Sequence, residues 1–222
     1  MAQARRKIRP QTTLSAERVR DEALKLIEAD GLEAFSTRKL GRALGVEAMA
    51  IYWYYPSKDA LLDAVVDKLI SKLEPPDPDL TKDWIDALRK VSHEYRNLSH
   101  EYPQSFILLA TRRFATEGTY RFIERLFAIA QREGFDERTT ARWYRLVSSY
   151  CSGIALNELA GIQRATAGPP PAGARAQFPH LVASWQWLAA EPYDDVFSFG
   201  LEVLLDALGR APRKAKPRRT TK

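Results

Sequence analysis

Hydrophobic residues recur along this chain at intervals of three and four, and no stretch alternates polar and β-branched residues as a half-buried strand would. The pattern therefore predicts an all-α protein. Ser15, Ser36 and Ser57 each precede an apolar stripe and are predicted to cap the first, second and fourth helices. The predicted helices cover about 15–31, 36–45, 46–54, 57–73, 80–100, 103–115, 118–133, 137–163, 181–190 and 194–209.

Proline and glycine clusters divide the chain into segments. The pair Pro75-Pro76 predicts a domain boundary, and the run GPPPAG at 168–173 predicts a long mobile loop. A chain of 222 residues has room for two small domains. We expect a basic N-terminal arm, a first domain, a connecting helix, a second helical domain and a basic disordered tail, over 1–14, 15–56, 57–74, 75–209 and 210–222.

Residues 37–58, TRKLGRALGVEAMAIYWYYPSK, have the features of a helix-turn-helix. Gly41 supplies the small residue needed where the first helix presses on the second, and Gly45 supplies the positive φ of the tight turn. The third helix then exposes Ala48 to Ala50 and Tyr52 on a surface able to enter a major groove about 12 Å wide. Simple packing of two helices would leave this outward row of residues unexplained. The first domain is therefore predicted to be a three-helix DNA-binding domain.

The residue types on this surface indicate how DNA would be read. Ala48, Met49 and Ala50 have no hydrogen-bonding side-chain groups, so base reading is expected to rest on thymine methyl contacts and on Arg38 to a guanine. In the aromatic run 52–55, Tyr52 is expected to donate to a phosphate. Trp53 and Tyr55 of the same run are expected to belong to the core.

The net charge of +6 is concentrated at the two ends of the chain. Basic residues alone occupy the charged positions before Glu17 and after Asp206. Such tails favour contact with nucleic acid, because Lys and Arg displace condensed counterions. Simple solvation of the tails is the alternative.

Two segments, ALKLIEADGLEAFSTRKLGRALGV at 23–46 and IYWYYPSKDALLDAV at 51–65, resemble the tetracycline-repressor family of bacterial regulators. The resemblance extends over about 12–73. It implies a homodimer that binds a palindromic double-stranded DNA operator and is released by a ligand bound in the C-terminal domain. The DNA-contacting positions that it implies are Thr37, Arg38, Glu47, Ala48, Met49, Ala50, Tyr52, Tyr54 and Lys58.

The second domain is rich in aromatic residues and has no large charge excess, which favours a mainly hydrophobic, aromatic or polycyclic effector. Such an effector is expected to enter near the 168–173 loop. The rings expected to line its site are Phe106, Phe114, Phe127, Trp143, Tyr150 and Trp185.

A metal or other cofactor is not expected. In the tetracycline-binding branch that the chain resembles, a His-Leu-Gly-Thr-Arg segment supplies a metal contact, and its counterpart here, residues 108–112, reads LLATR. His93 and His100 are seven residues apart and lack an evident third ligand, so a solvated helix face explains them better than a metal site. Cys151 has no charged partner nearby in the sequence and is expected to be a packed thiol.

Two helices with long apolar faces, 137–163 and 194–209, are expected to form a four-helix interface in a two-fold dimer. The second domain is therefore predicted to bind the ligand and to dimerise. The residues expected at the interface are Val147, Ile154, Val196, Phe199, Val203 and Leu204.

Enzyme activity is not expected, because the sequence has no Ser-His-Asp set, paired acids or glycine-rich phosphate loop. An architectural DNA-binding protein that responds to no ligand is the alternative function. With a single cysteine and no long apolar run, the protein is expected to be cytoplasmic and without a membrane partner.

Overall fold

The computed structural model of the protein describes residues 14–81, 83–112, 116–163 and 173–214. Within these ranges the chain is helical and contains no strand, so the predicted all-α class is confirmed. The helices are α1 Ala16–Asp30, α2 Thr37–Leu44, α3 Ala48–Ile51, α4 Lys58–Ile70, α5 Trp84–Glu101, α6 Phe106–Thr111, α7 Glu117–Arg132, α8 Glu137–Gln163, α9 Ala174–Gln177, α10 Pro179–Ala190 and α11 Tyr193–Gly209.

Three serine caps fix the starts of α1, α2 and α4. The hydroxyls of Ser15, Ser36 and Ser57 each accept a hydrogen bond from the backbone N–H three residues later. Each bond satisfies one of the N–H groups that a helix start leaves without a partner. The predicted caps are confirmed.

The two glycines of the helix-turn-helix fill the predicted places. A Cβ on Gly41 would lie 2.8 Å from the carbonyl oxygen of Val46, so only glycine allows α2 to approach α3 this closely. Gly45 has φ 72° in the left-handed region, where a residue without Cβ is not strained. Beneath this turn, Leu40 and Ile51 are almost fully buried.

Helix α4 connects the first three helices to the C-terminal domain. It packs on α1 of the first domain and on α6 and α7 of the second. In the C-terminal domain α5 lies against α8, and α11 packs on both. One continuous hydrophobic core runs from Val19 in α1 to Leu208 in α11. A displacement of α4 would therefore change the packing of helices in both domains.

Several predicted boundaries are wrong. The third helix ends at Ile51 instead of Tyr54, because the chain turns there with bonds from Tyr52 N–H to the Met49 carbonyl and from Tyr54 N–H to the Ile51 carbonyl. The predicted helix 103–115 is reduced to α6, and α9 was not predicted.

Part of the predicted disordered tail is ordered. Lys214 N–H donates to the Gly134 carbonyl at 2.7 Å, and the Arg213 guanidinium lies 4.6 Å from the centre of the Phe135 ring. Residues 210–214 are therefore held against the turn between α7 and α8. The arm 1–13, the loop segment 164–172 and the tail 215–222 lie outside the described residues.

Candidate DNA-binding surface and ligand cavity

The outer surface of α2 and α3 presents the residues expected to read bases. Arg38 and Glu47 are exposed, and Ala48 and Ala50 are partly exposed. Met49 is the most prominent member, with 71% of its surface exposed. Helix α3 thus presents small and apolar groups to solvent.

Two tyrosine hydroxyls link this surface to the rest of the first domain. The Tyr52 hydroxyl lies 3.4 Å from Oγ1 of Thr37 at the start of α2. The Tyr54 hydroxyl donates to the carbonyl of Leu14, just before α1, at 2.8 Å. These bonds link the turn after α3 to the other two helices of the domain, so Thr37, Tyr52 and Tyr54 have structural partners as well as predicted DNA contacts.

Lys58 is positioned by the loop between α1 and α2. Its ammonium donates to the carbonyl of Phe35 at 3.1 Å and lies 5.5 Å from the centre of the Phe35 ring. The residue is exposed at the first position of α4. Because an ammonium has three N–H donors, the bond to Phe35 leaves capacity for a phosphate oxygen.

Trp53 is not in the core, contrary to expectation. It is 89% exposed, whereas Tyr55 is half-buried and its hydroxyl donates to the carbonyl of Ala16 at 2.9 Å. The prediction failed because α3 ends at Ile51, which places Trp53 at the tip of the following turn instead of on a helical face. Trp53 therefore extends the exposed apolar surface that begins at Met49.

A cavity of about 70 Å³ lies among α4, α5, α6, α7 and α8. Its apolar lining consists of Val66, Ile70, Leu73, Leu88, Val91, Leu109, Phe122, Leu126, Tyr144 and Val147. Its other lining residues are Ser92, Tyr95, Arg112, Thr119, Ser148 and Cys151. Half of the lining residues are therefore aliphatic, and the rest include three aromatic rings and several hydroxyl groups. The expected packed thiol, Cys151, is buried in its wall.

The aromatic residues predicted to form a ligand site do not line this cavity. Two of the predicted rings pack against rings that do line it, Phe106 against Tyr95 and Phe127 against Tyr144. The Tyr150 hydroxyl donates to carbonyls of α11. Trp143 and Trp185 are half-buried elsewhere, and Phe114 lies outside the described residues.

Among the described residues that line the cavity, Arg112 alone is charged. Its guanidinium bonds to Asp63 at 2.6 Å and to Asp59, and both carboxylates belong to α4. Burial by itself lowers the pKa of Arg112, but the bonds to Asp59 and Asp63 outweigh it, so the pKa is raised above its usual value. A permanently charged side chain thus ties the cavity wall to the helix that connects the domains.

A buried ion pair joins α5, α8 and α11 behind the cavity. Arg96 donates two bonds to Glu158, at 2.9 and 2.8 Å, and both side chains are over nine-tenths buried. Asp194 at the start of α11 lies 2.6 Å from Arg96, whose hydrogen bond lowers the pKa of that carboxyl. His100 is 3.0 Å from Glu158, while His93 packs on a ring of α11, so the two histidines do not share a site.

The predicted dimer residues divide into exposed and buried groups. Phe199 is 73% exposed and Val203 53% exposed, one turn apart on α11. Ile154, Val196 and Leu204 are half-buried. Phe199 and Val203 thus give α11 an apolar stripe that the described part of the protomer does not cover.

The prediction is wrong for Val147. Its side chain is buried and lines the cavity, so it is not available to a second copy of the chain. Its neighbour Leu146 is 44% exposed, and Gly153, two turns farther along α8, faces open space. The exposed face of α8 is therefore rotated from the predicted one by one residue, about 100° of helical turn.

Two family models match the chain. The model described as tetracyclin repressor-like, C-terminal domain matches residues 77–210, and the model of bacterial regulatory proteins, tetR family, matches residues 19–65. The first match alone covers more than half of the chain. The chain belongs to the tetracycline-repressor family. It is a transcriptional regulator of that family, and the resemblance seen in the sequence is confirmed.

Characterised relatives of this family are similar over most of their length. The transcriptional repressor DrrR1 of Streptomyces coeruleorubidus is 26% identical over 90% of this chain and 78% of its own. The class D tetracycline repressor protein of Escherichia coli is 28% identical over 86% of this chain and 88% of its own. The relatives are therefore similar across both domains.

Solved structures of the family share the fold. A possible TetR-family transcriptional regulator from Streptomyces coelicolor A3(2) superposes with a TM-score of 0.76 at 26% identity, covering 88% of this chain and 98% of the other. ActR from Streptomyces coelicolor superposes with a TM-score of 0.74 at 22% identity, over 89% of this chain and 97% of the other.

The described side chains and helices bear on metal binding and on membrane insertion. No described group of three or more His, Cys, Asp or Glu side chains is placed to hold a metal ion. In the described part of the chain, no helix is both long and apolar enough to span a membrane.

Proposed function

We propose that this regulator is a dimeric repressor that binds a palindromic operator and leaves it when a mainly hydrophobic small molecule occupies the cavity. The observation that carries the proposal is Arg112, a charged cavity residue bonded to two carboxylates of α4. A ligand in the cavity meets a side chain that restrains the helix leading to the DNA-binding domain.

For the DNA step, α3 enters a major groove with Met49 and its alanine neighbours toward the bases. Arg38 donates to a guanine, whose O6 and N7 match a guanidinium. Tyr52 and Lys58 contact phosphates on either side, and these contacts set the position of the helix without reading sequence. The exposure of Met49 and Arg38 supports this arrangement.

For the dimer step, the exposed stripes of α8 and α11 pack against the same stripes of a second copy. The apolar groups on these stripes are Leu146, Phe199 and Val203, and a soluble monomer would leave them in water. A two-fold dimer presents two α3 helices related by the same axis, which is why the operator is expected to be a palindrome.

For the release step, the effector must enlarge the cavity. A volume of about 70 Å³ is far below the roughly 300–1,000 Å³ of small-molecule sites, so binding must move at least one wall. The aliphatic lining favours an apolar ligand, and one relative, the E. coli repressor, is named for tetracycline, a polycyclic molecule. Helices α4 and α6 are the walls that Arg112 connects.

Selection of bound DNA from a random pool tests the operator, and a screen of hydrophobic compounds on the recovered site tests release. The expected site is a two-fold palindrome, released by at least one compound whether or not a chelator is present. Binding without sequence preference would instead indicate an architectural protein. Release only with a divalent cation, or only by highly charged metabolites, would overturn the proposed effector class.

A further inference from the structure

A second hollow lies beside the cavity, between α4 and α7. This outer groove has a volume of about 290 Å³ and opens to solvent. Ile70, Leu73 and Phe122 line both hollows. These shared side chains form part of the wall between the outer groove and the cavity, so a movement of Phe122 would widen the connection between the two.

The wall of the outer groove formed by α4 contains a carboxylate oxygen with no partner. Oδ1 of Asp67 is fully buried and accepts no hydrogen bond from the described residues. Gly118 on α7 faces it so closely that a Cβ at position 118 would collide with Oδ1. Buried polar oxygens are almost always bonded, and Oδ1 would gain its missing partner from a ligand donor that enters between Gly118 and Asp67, both of which line the groove.

The wall formed by α7 contributes the opposite chemistry. Arg121 and Arg125 lie one helical turn apart and line the same groove. Arg121 is bonded to Glu117, one turn before it, and Arg125 is exposed. The groove thus has acceptors on α4 and guanidinium donors on α7.

This mixture of charges discriminates among ligand groups. A simple cation attracted to Asp67 is repelled by two guanidiniums, and a simple anion attracted to the arginines is repelled by Asp67. A neutral polyol can donate to Asp67 and accept from the arginines, because each hydroxyl is both a donor and an acceptor. Phe122 adds an apolar surface on which the C–H face of a sugar ring can pack.

We propose that the outer groove binds a neutral polyhydroxylated substituent of the effector, such as a sugar, while the attached apolar rings enter the cavity behind Phe122. The inference rests on the proposed function and narrows its effector to a glycosylated hydrophobic compound. The two volumes together reach the lower end of the roughly 300–1,000 Å³ range of small-molecule sites, which the cavity alone does not.

Matched pairs of probes test the proposal on the full-length protein. Anthraquinone and flavonoid aglycones are each compared with their own O-glucosides, and dissociation constants are measured by calorimetry. At least one glucoside is expected to bind about tenfold more tightly than its aglycone, the effect of one added hydrogen bond to a charged group. Asp67→Ala is expected to remove this advantage and leave the affinity for the aglycone unchanged.

Two further variants test whether the advantage of the glucoside depends on the outer groove. Arg125→Gln, at an exposed position, should reduce the advantage of the glucoside even where Asp67→Ala proves unstable. Glu124→Ala, exposed on the same helix but outside the groove, should leave the advantage intact.

The proposal is overturned if no glucoside binds more tightly than its aglycone, or if the advantage persists in both groove variants. It is also overturned if no probe of any pair binds while another compound releases the operator, a result that leaves the proposed function standing. The absence of any sequence-specific operator would instead remove the proposed function itself.

Discussion

Residues of the predicted DNA-binding surface differ in the bonds that their side chains make within the protein. Thr37, Tyr52, Tyr54 and Lys58 have partners inside the protein, whereas Arg38 has an exposed side chain at the start of α2. A residue with internal bonds sets the geometry of the surface, while an unrestrained cation is available for a base. This difference leads to separate expectations for two basic residues.

Arg38→Ala and Lys58→Ala should weaken DNA binding in different ways. Loss of a guanine contact should cost about 1–3 kcal/mol at the selected operator and relax preference at one symmetric base pair. Loss of a phosphate contact should weaken all sequences alike and reduce the salt slope by about one. Titrations of operator and random DNA at several salt concentrations measure both. Equal losses on both DNAs for Arg38→Ala would assign that residue to the phosphate.

Trp53→Ala should lower affinity for the operator without lowering stability. At 89% exposure the side chain contributes little to the core, so the free energy of unfolding should stay within about 0.5 kcal/mol of the original. Trp187→Ala, 68% exposed on α10, is the matched control and should leave DNA binding unchanged. An operator affinity equal to that of the original protein would place Trp53 outside the interface.

At the scale of the helices, local signals predicted the starts better than the ends. Ser15, Ser36 and Ser57 cap their helices through bonds within three residues, so the sequence alone suffices. The end of α3 and the face of α8 depend on contacts with distant helices. A one-residue difference in rotation replaces Val147 by Leu146 at the surface, and the pattern of apolar residues does not resolve it.

The lining of the cavity could not be predicted from the sequence for the same reason. Five helices each contribute residues to it, and their relative rotation decides which side chains face the empty space. The abundance of rings in the C-terminal domain indicated an apolar site but not its lining, because rings such as Phe106 are fully buried between helices.

Arg112→Gln should uncouple the effector from the operator. The amide cannot maintain the ion pairs to Asp59 and Asp63, so α4 no longer follows the cavity wall. Ligand affinity should change little, while the fold-reduction of operator affinity by saturating ligand should fall by about tenfold or more, about 1.4 kcal/mol of coupling. Binding of each partner is measured with the other present and absent. Full release by the ligand in this variant would show that Arg112 does not couple the cavity to the operator. Arg142→Gln, exposed on α8, is the control.

At the scale of the whole molecule, the arrangement of helices connects two sites through shared elements. Helix α4 packs on α1 of the first domain and lines the cavity with Val66 and Ile70. Helices α8 and α11, with the buried pair Arg96 and Glu158 behind them, form the surface on which the second copy is expected to pack. Burial of that pair makes it costly to leave either charge alone, so α5 and α8 are expected to move together.

Phe199→Asp or Val203→Asp should give monomers. A charge in the centre of an apolar interface has no partner there, and its desolvation opposes association. Sedimentation should show the dimer lost and binding to a full operator greatly weakened, while single half-site contacts persist. Leu80→Asp, at another highly exposed apolar position, is the control and should remain dimeric. Dimers that survive both α11 variants would locate the interface elsewhere.

The central claim is that an effector larger than the cavity moves its wall and thereby releases the operator, and one comparison tests it most directly. Ser92 is buried in the cavity wall, so Ser92→Leu places a larger side chain in the space that the effector needs. Operator affinity is measured with and without an effector found by the screen, in the original protein and in this variant. The account predicts that the effector lowers operator affinity at least about tenfold in the original protein and has no effect in Ser92→Leu, which still binds the operator. Equal release in both proteins would contradict it.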